Sequence, residues 1–131
     1  MASSLDNLLV LDLTDGLAGA YATMLLCDNG ARVIRVEDVK SIDSRKSPGF
    51  SVWDRGKESI FLDYQNILKD RKRLYELISL CDVLIDDFAL SSNKQKIINK
   101  NTLYSINSKL IHASITTYGK NSLLKNEKPL V

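Results

Sequence analysis

Residues 8–38, "LLVLDLTDGLAGAYATMLLCDNGARVIRVED", pass from an apolar run through a glycine turn and a helical stretch to a second apolar run that ends on acid. Residues 8–13 are almost continuously apolar, as expected for a strand covered on both faces. Ala18, Ala22, Leu25 and Leu26 recur at helical spacing within residues 17–29, and Gly30 stands where a left-handed helix cap belongs. "RVIRVE" (32–37) is a second strand. This is the layout of a dinucleotide-binding βαβ unit. In it a strand-to-helix turn presents backbone N–H groups and a positive helix end to a ligand.

The rest of the chain continues the alternation. Residues 38–52 are polar, contain Pro48-Gly49 and read as a loop, and "SIFLD" (59–63) follows as a third strand. "ILKDRKRLYELISL" (67–80) sets Leu74, Leu77 and Ile78 on one helical face, and "DVLID" (82–86) is a fourth strand. Residues 91–109 hold one or two short helices with Asn93 or Thr102 as N-cap, before a fifth strand at "LIHASIT" (110–116). Short links between alternating strands and helices predict one α/β domain with an open, mostly parallel sheet of about five strands. After Thr116 the alternation stops. "TYGKNSLLKNEKPLV" begins as a turn and ends on apolar "PLV", as in a chain cut short or built to lean on another.

Composition narrows the function classes. The 131 residues carry a net charge of +2, too little to argue for nucleic acid or a membrane surface as partner. Residues 64–131 hold 11 basic and 6 acidic side chains, a net +5 that suits either an anionic ligand or solvated helix faces. Cys27 and Cys81 lie far apart in apolar runs, which favours free thiols in a reducing cytoplasm over a disulfide or a metal site. The start "MASSLDN" has no basic and apolar leader, so the expected location is cytoplasmic. His112, the lone histidine, falls inside a strand, where a packed neutral ring is the expectation rather than a catalytic base.

The turn itself argues against a nicotinamide or flavin. A dinucleotide fingerprint needs glycines at relative positions 1, 3 and 6. Here Gly16 and Gly19 are three apart with Ala18 between them, and Asp15 brings a negative charge to the presumed pyrophosphate position. Glu37 does stand where a ribose-binding acid would. The two glycines then serve close helix packing or the close approach of a different ligand.

Four blocks point to that ligand: "VLDLTDGLAGAYATMLLCDNGARVIRVE" (10–37), "DRGKESIFLDY" (54–64), "CDVLIDDF" (81–88) and "HASITTYG" (112–119). In this order and spacing they resemble the N-terminal, Rossmann-like part of the family III CoA-transferases, the superfamily of formyl-CoA transferase, carnitine CoA-transferase and α-methylacyl-CoA racemase. "GLAGAYAT" is similar to the form seen in double-length members. The resemblance implies a sheet that is incomplete relative to the family. Residues 1–118 would be the CoA-binding part and 119–131 a truncated tail. Coenzyme A or acyl-CoA would be the substrate, with no covalently bound cofactor. CoA contacts are implied at the first turn (Asp15, Gly16, Leu17, Ala18), at Lys57 with Arg55 beside it, at Asp87 and Phe88, and at the last turn (Thr117, Tyr118, Gly119). Glu37 would be structural or at the cleft rim.

The departures from the family pattern are specific. Asp38 stands where many members have a basic residue, the block "ENF-PG" becomes "DDFALS", and a following arginine is matched only by Lys94 or Lys96. The family transfers CoA through a carboxylate that forms a mixed anhydride with the acyl group. The aspartate concerned maps beyond Val131, so no catalytic residue is assigned and no transfer is expected from the chain alone. Implied partners are the remainder of a split or tandem enzyme or a homodimer mate. The alternative is a non-catalytic CoA-binding or partner-docking module.

Overall fold

The computed structural model describes residues 3–127, apart from the side chains of Lys40, Asp43 and Ser44. In chain order it contains β1 (Leu9–Asp12), α1 (Leu17–Asp28), β2 (Arg32–Glu37), α2 (Val39–Ser44), α3 (Gly49–Trp53), β3 (Glu58–Phe61), α4 (Leu68–Leu80), β4 (Val83–Asp86), α5 (Lys94–Ile97), α6 (Lys100–Ile106) and β5 (Ile111–Ser114). The strands form one sheet in the order β3-β2-β1-β4-β5, and every pair is parallel. The expected α/β class and five-stranded Rossmann-like parallel sheet are therefore present. The apolar end at 129–131 lies outside the described residues.

Side-chain alternation sorts the strands between two cores. Leu11, Val36 and Leu84 join Leu74 and Ile78 of α4 and Leu103 of α6 in the larger cluster. Val10, Val33 and Ile85 belong to the smaller one, closed by Leu26 and Cys27 of α1. Leu74 and Ile78 are fully buried while Leu77 is only partly so, which bears out the apolar face read for residues 67–80. Cys27 and Cys81 are free thiols, and burial pushes the Cys81 thiol up to about 11, away from reactivity at neutral pH.

Three local expectations need correction. Residues 38–52 are not a loop but carry α2 and α3. Asp38 opens α2 with a capping box: its carboxylate accepts the Ser41 N–H at 2.8 Å, and its own N–H donates to Ser41 Oγ at 2.7 Å. Thr102 is not an N-cap. Asn99 caps α6 by accepting the Thr102 N–H at 3.0 Å, while Asn93 precedes α5 without a side-chain cap bond. On α1 the buried face is Gly19, Ala20, Thr23 and Met24, whereas Leu25 is exposed. Apolar residues lie all round that helix, so spacing alone does not choose a side.

Gly30 has φ +102° just past α1, and a Cβ there would meet Ser3 Cβ at 2.4 Å. It ends the helix as expected. The strand order changes direction between β1 and β4, which opens a crevice at the carboxyl ends of those strands. The turn after β1 and the segment after β4 face each other across it. Among the described residues no helix is long and apolar enough to cross a membrane.

Candidate functional site

The crevice is built on charges, most of them already paired. At the end of β1, Asp12 is fully buried and accepts from the Thr14 N–H (2.9 Å), Thr14 Oγ1 (2.6 Å) and Thr23 Oγ1 (2.7 Å). Lys57 reaches this group from the far side of β2. Its side chain is 1% exposed, with Nζ at 3.4 Å from Asp12 Oδ2 and 3.0 Å from Asp54 Oδ1, and it also donates to the Ala20 carbonyl at 3.0 Å. Burial of a charge at this depth requires such partners.

Arg45, just past α2, completes the cluster. It is also 1% exposed and donates to the Thr14 carbonyl (2.6 Å), Thr14 Oγ1 (2.8 Å) and Asp54 Oδ1 (3.1 Å). Arg35 adds a second guanidinium, paired with Asp54 at 2.6 Å and Glu37 at 3.1 Å. Burial and then the neighbouring Arg45 hold the Arg35 guanidinium below its ordinary range. These arginines, which the residue pattern did not single out, lock the 45–54 segment against the first turn. Glu37 joins the same cluster through its pairing with Arg35.

The first turn is closed from the opposite wall. The Asp87 carboxylate accepts the Asp15 N–H at 3.0 and 3.1 Å and the Gly16 N–H at 2.8 Å. Beneath it Lys94, buried on α5, pairs with Asp38 at 2.6 Å and Asp15 at 3.3 Å. Its ammonium lies 4.8 Å from the Phe88 ring centre and 5.8 Å from that of Tyr64. Burial raises the Asp15 carboxyl above its ordinary value. Lys94 opposes the rise, while Asp87 and Asp38 add to it. For Asp38, burial is outweighed by the bonds from Lys94 and Ser41, which together hold its carboxyl low. Burial and the surrounding carboxylates push the Tyr64 hydroxyl far up, so it stays neutral.

Of the residues singled out in the sequence, Asp15 and Gly16 meet Asp87 across the crevice, while Lys57 and Phe88 make their contacts with other residues. Lys57 is internal. Phe88 is 6% exposed and part of the core. Leu17 is half-exposed and Ala18 exposed at the start of α1, open to a ligand. Arg55 is elsewhere: it pairs with Asp28 at 2.6 Å at the far end of α1, a helix length of roughly 18 Å from the turn. Thr117, Tyr118 and Gly119 form a separate turn, with Gly119 at φ +82° donating its N–H to Thr116 Oγ1 at 3.0 Å. His112 is held between strands, its Nε2 2.5 Å from Asp86 Oδ2, and Ser114 Oγ donates to the same oxygen at 2.8 Å.

An accessible concavity of about 400 Å³ opens at the same edge, beyond α5, lined by Gln65, Asn66, Arg71, Tyr75, Asn93 and Lys96. Arg71 Nε and Nη2 donate to the Tyr64 and Gln65 carbonyls, both at 2.9 Å. Lys96 is exposed and has no ion-pair partner among the described residues. Two cations, three carboxamides and no acid suit an anionic ligand. A second concavity, of about 510 Å³, lies at the amino edge with Asp6 and Asp82 and no cation.

The model of CoA-transferase family III matches residues 5–129. Acetyl-CoA:oxalate CoA-transferase of Acetobacter aceti is 36% identical over 124 residues, which cover 88% of this chain and 32% of the relative. Succinyl-CoA:mesaconate CoA-transferase of Haloarcula hispanica is 36% identical over 130 residues, again 88% and 32%. A CaiB/BaiF family protein from Brucella suis superposes with a TM-score of 0.85 at 30% identity, covering 97% of this chain and 37% of that one. A hypothetical protein from Mycobacterium tuberculosis gives 0.87 at 29% identity, covering 99% and 38%. The chain thus spans about a third of the length of the relatives it matches.

Proposed function

Because the chain belongs to CoA-transferase family III, we propose that it holds an acyl-CoA along the carboxyl edge of the sheet. The phosphorylated end of CoA rests in the concavity of Arg71 and Lys96, not on Lys57. The observation that carries this reading is the charge inventory of the edge. Lys57, Lys94, Arg35 and Arg45 are all engaged by internal carboxylates. Arg71 and Lys96 share a concavity that contains no acid.

The same inventory supports a binding role without transfer. Acyl exchange by the covalent route needs a carboxylate free to attack a thioester. Asp87 is held by two backbone amides, Asp15 by Lys94, and Asp86 by His112, Ser114 and the Phe88 N–H. In this reading the chain holds CoA and the attacking carboxylate lies outside residues 3–127.

Calorimetry with CoA and NAD tests the binding, and a turnover assay with several acyl-CoA donors and acid acceptors tests the transfer. The expected result is CoA binding without NAD binding and without exchange above background. Lys96→Ala should weaken CoA about tenfold, the loss of one charged hydrogen bond, with the unfolding midpoint unchanged. NAD binding alone, or unaltered CoA affinity in that variant, would sink the placement. Measurable exchange would overturn the view that no carboxylate here is the nucleophile.

A further inference from the structure

A helix start with free amides ordinarily attracts an anion, because its N–H groups point outward and its dipole end is positive. Here that place is already filled from within. Asp87 lies against the backbone so closely that a Cβ on Gly16 would stand 3.1 Å from its Oδ2, so the glycine makes room for the carboxylate. Asp87 has no cation of its own among the described residues. The adjacent Lys94 is committed to Asp15 and Asp38. In the family block that this segment resembles, an asparagine stands at the Asp87 position. It would offer one acceptor oxygen and no charge.

We propose that Asp87 is an internal anion seated on the amides of the first turn, so that this turn admits an uncharged stretch of ligand and rejects phosphate or free carboxylate. Resting on the acyl-CoA reading above, the stretch it admits is the amide-and-thioester arm. Leu17 and Ala18, exposed beside the seat, supply an apolar surface that suits such an arm. The raised Asp15 carboxyl agrees with an edge already crowded with negative charge.

The test follows the Asp15 and Gly16 amide resonances of labelled protein titrated with inorganic phosphate, which does not depend on CoA binding. The wild type should show no saturable shift at these amides. Asp87→Ser should bind phosphate there at least about tenfold more tightly, and Asp87→Asn should fall between them. The remaining resonances report whether each variant is folded. Saturable phosphate binding at the wild-type turn, or a folded Asp87→Ser variant that stays blind to phosphate, overturns the proposal. Pantetheine, which carries no phosphate, should shift the same two amides in the wild type. If CoA perturbs only the Lys96 concavity and pantetheine leaves the turn unmoved, the assignment of the arm is wrong while the CoA reading stands. If CoA binds nowhere, the CoA reading fails and the phosphate result still decides the role of Asp87.

Discussion

Lys57→Met is expected to lower the unfolding free energy by about 3–5 kcal/mol, the cost of removing one partner from a buried ionic group. Methionine fills nearly the same volume as the lysine stem, so the loss isolates the ammonium rather than the packing. Without it, Asp12 keeps its hydroxyl and amide donors but loses its nearest cation, and Asp54 is left to Arg35 and Arg45. For a domain of ordinary stability this is a large fraction of the total. In urea it is a fall in the midpoint of roughly 2 M. The same variant separates two roles for this lysine. A lysine that faced CoA would leave the midpoint in place and weaken only CoA binding. An unchanged midpoint would show that the Asp12–Lys57–Asp54 cluster does not hold the fold together.

Gly19→Ala is the second large effect, and two opposing magnitudes decide its sign. Helix propensity alone favours alanine by about 1 kcal/mol. Against that, the new Cβ would stand 2.2 Å from Thr14 Cβ and 2.3 Å from its Cγ2 and Oγ1, distances that real atoms do not adopt. Thr14 cannot turn away cheaply, because its hydroxyl donates to Asp12 at 2.6 Å and accepts from Arg45 at 2.8 Å. Overpacking a tight site costs about 1–3 kcal/mol or more, so the clash wins and the variant should unfold earlier. The disturbance should also spread to the Arg45 contacts that fix the first turn. Thr14→Ser should not rescue it, since Cβ itself is the nearest atom. A higher melting temperature for Gly19→Ala would mean that α1 does not press on β1 as closely as described.

Both effects bear on how much could be read from residues in order. The glycine turn, the apolar run of residues 8–13 and the helix of residues 67–80 are local patterns, and the structure forms them where the periodicity places them. The helix at 39–44 was also signalled, by Asp38 and Ser41 three residues apart, but the capping partner was serine rather than the usual Glu or Gln. The buried face of α1 was not legible, because the helix is apolar on every side and only contact with the sheet selects Gly19, Ala20 and Thr23. At the candidate site the sequence did not show which side chains are already engaged within the protein. Lys57 and Phe88 belong to the crevice but point into the protein, Arg55 lies at the other end of α1, and Arg35 and Arg45 carried no signal of their own.

The sequence by itself determined the parallel α/β class and the family resemblance, because both rest on short-range periodicity and on blocks of adjacent residues. Only the tertiary structure decided which charges remain for a ligand. Engaging a charge depends on groups that meet across the fold: Lys57 and Asp12 are 45 residues apart, Lys94 and Asp15 79 residues apart, and the Asp87 carboxylate accepts the N–H of Gly16, 71 residues away. Buried in the fold, Lys57 and Lys94 are engaged by carboxylates, whereas Arg71 and Lys96 share a concavity whose lining contains no acid.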